Sequence, residues 1–523
     1  MRKRIPLIAL LALSLCTFTA KAQQYTLAGF SNFNKEALNP VYVGAEVQGY
    51  SIFYRTDQAD KKHYNYGFDL FDQNLQKLKN ITITKEGYYN RLLGSWFNGK
   101  SFAFYFYDAA SGNLELDVYD NALNKVKSVE LPKISSTNRG VAYQQLLHPL
   151  NRSNRNISEL NLYPVPQKGF IRNAYTRGQK GFELEMYDNN LELKWSYQTD
   201  KKAKGYETII VNEVTDKYLL ATIGRSPSAK YQGTLFYIAA FDVETGEKVL
   251  DYEIGKQDGR QLVLGNFRLD GKKGEVIAAG EFYAAEARVL KDHSQGMFIK
   301  RIGLDGKEKH VEFYEWDKGI APMLPQGAME GFGKGKISFV HDIVQGRGGR
   351  YHIITEQYTL RRDGVSVALA VMGSVKPTVF GIVGDMAVYT LSPDLKLSRV
   401  DVFDKEETKF GLPRRSKPFG NPVLGHIIKR TNGFDYQFTQ GENNPENLHL
   451  SYTKDTKLKR SRYDQTVLES VAFLNGAGAV TDKLDISSSK EITTFVYPAK
   501  TGYVMVLNNV DNNLEMKLVK LNK

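Results

Sequence analysis

The sequence predicts an all-β protein, namely a β-propeller of four-stranded antiparallel blades. Three observations support this fold: abundant aromatic residues, short alternating runs broken by turns, and one hairpin pattern that recurs along the chain. The chain has 31 Tyr and 28 Phe, and their rings favour half-buried pleated surfaces. Runs with a period of 3.6 residues are scarce, whereas short apolar or alternating runs end repeatedly at Gly, Asn or Asp.

The recurring pattern is a strand ending in an aromatic or apolar residue, an Asp-containing turn, a Leu or Gly, and another strand. Asp and Asn suit such turns because their side chains bond to nearby backbone groups and tolerate left-handed geometry. The turns are separated by 48 to 89 residues, which brackets the length of one blade plus a loop. Their Asp residues are Asp72, Asp120, Asp188, Asp242, Asp305, Asp394, Asp455 and Asp511.

Two further strands precede most of these turns, so that each unit has four strands and the Asp turn joins the third to the fourth. The clearest pairs are 208–214 with 218–223, 262–268 with 275–283, and 336–344 with 351–358. Four strands repeated in sequence are typical of propellers, which protect their sheet edges by radial closure. We expect eight blades, with seven as the next choice; the alternative is a set of unrelated hairpins in two β-sandwich domains.

The domain organisation follows from the same pattern. No Pro-, Gly- or Ser-rich linker divides the chain, which favours a single propeller domain over residues 23–523. The interval of 89 residues is longer than one blade requires. We therefore expect an insertion near residues 360–385.

The N-terminus predicts export. Arg2, Lys3 and Arg4 precede an apolar run over 5–15, and small or polar residues then lead to Ala20-Lys21-Ala22. This is the order of a cleavable secretory signal peptide, so we assign residues 1–22 to it and expect Gln23 as the new N-terminus. The apolar run is too short for a membrane-spanning helix, which needs about 20 residues.

The single cysteine, Cys16, lies inside this segment. A lipid-attachment cysteine usually follows a small residue, but Leu15 precedes Cys16, so we favour ordinary cleavage over lipidation. The mature chain then has no disulfide and no thiolate chemistry. We expect it in the periplasm or at the cell exterior of a Gram-negative bacterium, as a monomer without a cofactor.

The charge pattern argues against nucleic acid as a partner. Cleavage removes four basic residues and lowers the formal net charge from +12 to +8. The remaining Lys and Arg alternate with acids and form no stripe with aromatic residues, as a nucleic-acid interface would require. No later segment is long and apolar enough to span a membrane.

Two features of the sequence resemble a known group of proteins: the Ala22-Gln23-Gln24 junction and the aromatic-Asp-Asn-Leu hairpins. Both are similar to those of propeller-like exported proteins of unknown function from the Bacteroidota. The resemblance covers most of the chain and implies a propeller fold. It brings no catalytic residues with it.

Recognisable catalytic and metal motifs are missing from the sequence. No Gly-x-Ser-x-Gly occurs, and residues 292–296 lack its first glycine. No His-Glu-x-x-His occurs either, and the eight His are scattered. His341 and His352, with Asp342 nearby, are the closest approach to a metal site, but histidines satisfied by backbone groups are the simpler interpretation. We predict no metal site.

One recurrence suggests a ligand site. Glu281 and Glu356 lie late in the second strands of adjacent blades, and Tyr283 and Tyr358 follow them by two residues. Residues two apart in a strand share a face, so each pair could act jointly on a sugar. One alternative is a pair of carboxylates that are solvated or paired with Lys; another is that both pairs line an interface between blades with no ligand.

Two classes of function therefore stay open. The first is a binding or scaffold protein of the bacterial envelope, whose partner is another envelope protein or a glycan. The second is a carbohydrate-active hydrolase or lyase with paired carboxylates on one propeller face. The catalytic acids of such an enzyme come from distant strands, so the sequence leaves no local motif that would decide between them.

Overall fold

The structure is a computed structural model. It describes residues 24–28, 38–86, 90–108, 111–131, 162–173, 181–200, 205–228, 234–289, 292–325, 328, 335–362, 379–411, 425, 428–429, 433–441, 448–456, 465–474, 477–487, 492–510 and 513–522. The predicted signal peptide, Asp511 and most of the predicted insertion lie outside these residues. Among the described residues, no helix is long and apolar enough to cross a bilayer.

Within these ranges, 34 strands form eight antiparallel sheets, which are the blades of an eight-bladed β-propeller. The predicted fold is therefore confirmed. Blade 1 contains β2 (Leu38–Val43), β3 (Glu46–Gln58), β4 (His63–Asp72) and β5 (Lys77–Glu86). Blade 2 contains β6 (Asn90–Phe97), β7 (Ser101–Asp108), β8 (Leu114–Asp120) and β9 (Lys125–Leu131), and blade 3 contains β10 (Leu162–Val165), β11 (Gly169–Asn173), β12 (Glu183–Asp188) and β13 (Leu193–Gln198). Blade 4 contains β14 (Tyr206–Val214), β15 (Tyr218–Ser226), β16 (Leu235–Asp242) and β17 (Lys248–Ile254).

Blades 5 to 8 follow the same order, with small additions. Blade 5 contains β19 (Arg260–Asp270), β20 (Glu275–Ala284), β21 (Gly296–Gly303) and β22 (Glu308–Glu315), with the short added strand β18 (Lys256–Gln257). Blade 6 contains β23 (Ile337–Gln345), β24 (Tyr351–Arg362), β25 (Val379–Leu391) and β26 (Leu397–Phe403), with the added strand β27 (Thr408–Gly411). Blade 7 contains β28 (Tyr436–Gln440), β29 (His449–Thr456), β30 (Gln465–Leu474) and β31 (Ala477–Asp485), and blade 8 contains β32 (Ile492–Pro498), β33 (Tyr503–Val510), β34 (Asn513–Lys520) and β1 (Gln24–Leu27). Short helical turns lie at Trp316–Ile320, Ala321–Met323 and Arg347–Gly349.

The first strand of each blade faces the central axis. First strands of successive blades contact one another, as β6 contacts both β2 and β10, and β19 contacts both β14 and β23. The core consists of apolar clusters shared between neighbouring blades. One of them joins blades 8 and 1 and includes Tyr50, Phe71, Met505 and Met516. The stability of the ring therefore depends on packing between blades as well as within them.

The ring closes through its two ends. β1 pairs antiparallel with β34, and Gln24 lies opposite Lys517. The first strand of the described chain is thus the outer strand of the last blade. The pairing gives blade 8 its fourth strand and joins it to the segment that leads into blade 1.

Two sets of short turns share one face of the disc, because antiparallel order places the first–second and third–fourth connections at the same end of a blade. Contacts between blades confirm this arrangement. Asn98 donates to the side chain of Asn189 in the next blade at 2.8 Å, and Lys500 donates to Asn74 at 2.6 Å across the closure. We call this side the Asp-turn face.

The Asp turns form as predicted in blades 1 to 6, where each joins the third strand to the fourth. Oδ1 of Asp188 accepts the backbone N–H groups of Asn190 at 2.8 Å and Glu192 at 2.9 Å. Two predicted placements are wrong. Asp455 lies within β29, opposite Thr466. Asp511 itself lies outside the described residues, but the strands on either side of it, β33 and β34, are the second and third of blade 8, because β1 supplies the fourth.

The residue after each Asp turn has left-handed backbone geometry. Four of these residues are leucines, and φ is 62° at Leu75, 58° at Leu123, 54° at Leu191 and 68° at Leu395. Non-glycine residues avoid this region at about 1–2 kcal/mol. All four side chains are buried, and burying a leucine contributes about 1.5–3 kcal/mol, which offsets the strain.

Leu395 offers a test of this balance. Leu395→Ala keeps the strained φ but loses the buried side chain, at an expected 2–5 kcal/mol. Leu395→Gly loses the same burial and relieves the strain, so it should be more stable than the Ala variant by about 1 kcal/mol. Urea denaturation measures both variants.

The control is Leu391, which is also fully buried but lies in β25. There Gly should be less stable than Ala by about 0.5–1 kcal/mol, because glycine weakens a strand. The same order of Ala and Gly at both positions would contradict the proposed strain at Leu395.

Candidate functional site

Two buried carboxylates occupy equivalent positions in blades 5 and 6. Glu281 lies opposite Val263 in the inner strand β19, and Glu356 lies opposite Phe339 in the inner strand β23. In both inner strands a β-bulge begins after the next residue pair. The structure thus places these acids in adjacent blades, as the sequence predicts. Their exposed fractions are only 4% and 0%.

Glu281 connects blade 5 to blade 6. Its Oε1 accepts the backbone N–H of Ser338 in β23 at 2.9 Å, and its Oε2 accepts the hydroxyl of Tyr283 at 2.8 Å. The hydroxyl of Ser294 is a third hydrogen-bond partner. Among the described residues, no Lys, Arg or His forms an ion pair with this carboxylate.

Burial without a cation changes the acidity of this group. It raises the pKa of Glu281 to about 7, although the three hydrogen bonds act in the opposite direction. The carboxyl borders a cavity of about 20 Å³ between the two blades, whose lining also includes Gly265 and Phe339. A cavity of this size holds one water molecule and no sugar ring.

The two tyrosines that the sequence predicts as ligand-binding residues both lie near Glu281. Tyr283 and Tyr358 are each 1% exposed; Tyr283 donates to Glu281, and Tyr358 lines the same cavity. The ring of Tyr358 also lies near Phe434, with 5.8 Å between the two ring centroids. Beside it the pairing of β24 with β25 changes register, and the extra residue of this bulge belongs to β25.

Glu356 lies at the next junction, between blades 6 and 7. Its Oε1 is 2.6 Å from Nζ of Lys405, and its carboxylate also accepts the backbone N–H groups of Asp435 at 3.2 Å and Tyr436 at 3.1 Å. Lys405 donates in addition to Oδ2 of Asp435. We call Glu356, His341, Lys405 and Asp435 the Glu356 cluster.

The charges of this cluster compensate one another. Burial alone would raise the pKa of Glu356, but the ammonium of Lys405 and the contact with His341 outweigh it and lower this pKa. For Asp435 the effect of burial is larger than that of Lys405, so its pKa is raised. The ammonium of Lys405 loses hydration, but the two carboxylates raise its pKa overall. Buried charges are tolerated when they are paired, and here one cation is paired with two buried carboxylates.

His341, the fourth member of the cluster, is packed among aromatic side chains. Its ring centroid is 4.7 Å from those of Phe434 and Tyr436 and 4.9 Å from that of Phe339. Burial lowers the pKa of His341 to about 4, so the ring is neutral at pH 7. Nε2 lies 2.8 Å from Oε2 of Glu356, but neither ring nitrogen has a well-aligned hydrogen bond to a described residue.

The histidines that the sequence singled out do not form a metal site together. His352 points to Thr390, with Nδ1 at 3.0 Å from Oγ1, and its ring packs on Phe473. In the part of the chain that the structure describes, no group of three or more His, Cys, Asp or Glu is arranged to hold a metal ion. Asp342 instead accepts the hydroxyl of Tyr436 at 3.4 Å.

The two carboxylates therefore act as clamps between blades, each holding N–H groups at the start of the next inner strand. They belong to successive junctions of the ring and do not line one pocket. The sequence did not identify Lys405 or Asp435 as their partners. Both lie in connections between strands, and no local pattern marks a lysine or an aspartate there as buried.

Comparison with known proteins gives a family. No curated protein matches the chain. Among solved structures, Sqt1 from Chaetomium thermophilum matches with a TM-score of 0.43 and 10% identity, over 95% of this chain and all of that one. A europium-containing methanol dehydrogenase matches with a TM-score of 0.36 and 11% identity, over 83% and 81% of the two chains.

A third structure is the prolyl oligopeptidase B of Galerina marginata, with a TM-score of 0.35 and 10% identity. The match covers 88% of this chain but only 55% of the peptidase. At such identities these likenesses carry no information on activity. A family model matches residues 1–522, and the chain accordingly belongs to the family described as a family of unknown function (DUF6770).

Proposed function

We propose that the chain is an exported scaffold of the bacterial envelope that binds an envelope protein or glycan through its exposed turns and loops. The observation that carries this proposal is the use of Glu281 and Glu356 as clamps between blades. The two carboxylates that the sequence singled out for a ligand are both buried and bonded across junctions between blades. Propellers bind their partners mostly through loops, which vary while the strands hold them in place.

The competing function is a carbohydrate-active hydrolase or lyase. One observation favours it: the pKa of about 7 at Glu281 is that of a general acid at neutral pH. Against it, a glycosidase needs two carboxylates about 5–10 Å apart across a cleft that admits a sugar. The cavity at Glu281 is about 20 Å³ and holds no sugar.

Cross-linking in the native host separates the two functions. A photoreactive amino acid replaces Lys100 on the Asp-turn face in one strain and Lys318 on the opposite face in another; both positions are exposed. A scaffold gives a discrete adduct in the envelope fraction from at least one position. Retention of the protein in the cytoplasm would overturn the proposal. So would polysaccharide cleavage by the purified protein that Glu281→Gln abolishes.

The predicted export of the chain gives a separate prediction about its processing. We expect N-terminal sequencing of protein from the native host to begin at Gln23, because Ala20 and Ala22 provide the small residues that signal peptidase requires. Ala22→Arg should block processing and leave the longer chain. A mature protein that begins with a lipidated Cys16 would contradict this assignment.

A further inference from the structure

The turns around one mouth of the central channel carry a set of basic residues. These turns join the first strand to the second, and the first strands line the axis, so the turns surround the mouth on the Asp-turn face. Five consecutive blades, blades 2 to 6, each contribute at least one base. We call this set the basic arc; it comprises Lys100, Lys168, Lys217, Lys272, Lys273, Arg347 and Arg350.

Most of the arc is available to a partner. Lys100, Lys217, Lys272, Lys273 and Arg350 are exposed, and none of them forms an ion pair with a described residue. Lys168 differs, because it contacts Glu244. Short turns hold these residues close to the ends of the strands. The arc is therefore a preformed array of cations.

Few exposed acidic residues lie next to the basic arc in the part of the chain that the structure describes. Among the described residues of the first–second turns in blades 2 to 6, the exposed acid is Asp216. Glu442 and Glu446, in the corresponding connection of blade 7, lie outside the described residues. Asp270 precedes Lys272 and Lys273, but its carboxylate is buried and accepts their backbone N–H groups. Most other acids of this face lie in the Asp turns, farther from the axis, where the turn N–H groups engage them. Over blades 2 to 6, the inner zone of the face is thus positive among the described residues.

The outer zone of the same face adds an apolar component. Just beyond the Asp turns, the outer strands of four consecutive blades each expose one aliphatic side chain. These are Leu78 at 61%, Val126 at 43%, Leu193 at 55% and Val249 at 39% exposed. None of these four side chains offers the aromatic face on which the apolar C–H patch of a sugar would stack. A polypeptide carries both carboxylates for the arc and apolar side chains for this rim.

We propose that the basic arc docks an acidic, extended segment of a protein partner at the mouth of the channel. The inference rests on the proposed scaffold function and specifies its partner and its face. Each ion pair on such a surface is weak and screened by salt. Several pairs made by one chain add up, because the first contact raises the effective concentration for the next. Charge complementarity of this kind also speeds encounter.

The test uses fluorescein-labelled poly-L-glutamate as the probe and anisotropy as the readout, at low and physiological salt. The arc variant combines Lys100→Gln, Lys217→Gln, Lys272→Gln and Lys273→Gln. The control variant combines Lys61→Gln, Lys62→Gln, Lys256→Gln and Lys318→Gln, which removes the same charge from exposed positions on the opposite face. Circular dichroism confirms that both variants stay folded.

We expect the arc variant to bind the probe about tenfold more weakly than wild type, and the control variant to stay within about twofold. Equal weakening of both would show attraction by net charge alone and overturn the proposal. Polygalacturonate bound through the arc as tightly as polyglutamate would overturn the choice of a polypeptide. If no partner forms adducts in cells while polyglutamate still binds through the arc, the scaffold function fails and the docking surface stands.

Discussion

Replacing Lys405 with Met is expected to destabilise the protein by about 3–5 kcal/mol at pH 7.5, because Glu356 and Asp435 are left as two buried carboxylates without a cation. Nζ of Lys405 lies 2.6 Å from Glu356 and also bonds to Asp435. His341 adds no positive charge to the intact cluster, since burial lowers its pKa to about 4 and the ring is neutral. Urea denaturation measures the loss.

The loss should shrink at pH 5, where the two unpaired carboxyls take up protons more readily. The double variant Glu356→Gln/Lys405→Met should be more stable than the single Lys405→Met, since one uncompensated charge is gone. The matched control is Lys483, which pairs with Glu469 at 3.0 Å but is 68% exposed. Lys483→Met should change stability by less than about 1 kcal/mol. Equal effects at Lys405 and Lys483 would contradict the buried pairing.

Glu281 should give the protein a dependence of stability on pH that Glu281→Gln removes. Its pKa is about 7 in the folded chain and 4.5 as the ordinary value, so the folded state keeps a proton that the unfolded state releases. The contribution is fully present below pH 4.5 and is lost as the pH rises through 7. The shift corresponds to about 3 kcal/mol. Urea denaturation from pH 4.5 to 8 measures it for both proteins.

Relative to wild type, the Glu281→Gln variant should therefore gain stability as the pH rises across this range. Glu308→Gln is a control of opposite sign. Partial burial would raise the pKa of Glu308, but the hydrogen bond and charge of Lys300 lower it overall. This control should lose stability relative to wild type near neutral pH. Parallel pH profiles for wild type and Glu281→Gln would contradict a buried carboxyl without a cation.

Much of the fold was predictable because propeller blades repeat a local signal. The Asp turn is such a signal, since the carboxylate and the following left-handed residue both act within a few positions of the chain. It was misleading at Asp455, where an aspartate lies within β29 and pairs across the sheet with Thr466. It was misplaced at 511, because the outer strand of that blade comes from the other end of the chain. Counting strands along the sequence misses a strand that is supplied from so far away.

The candidate site was predictable only in part. The equivalence of Glu281 and Glu356 follows from the repeat, so the sequence could find it. Their surroundings depend on which blade packs beside them and on residues in connections, such as Lys405, and no periodicity reports these. The ligand-binding role of Glu281, Tyr283, Glu356 and Tyr358 stays a prediction that binding measurements must test.

The closure of the ring by β1 and β34 has a consequence for the order of folding. Gln24 and Lys517 pair across almost the whole length of the chain, so this contact has the largest loop-closure entropy in the described fold. Blades 1 to 7 form from neighbouring segments, but blade 8 waits for the last strand to be made. Of the described strands, β1 is made before all the others, and its partner β34 is made after them. In the meantime it is an unpaired strand edge, the kind of surface that chaperones protect.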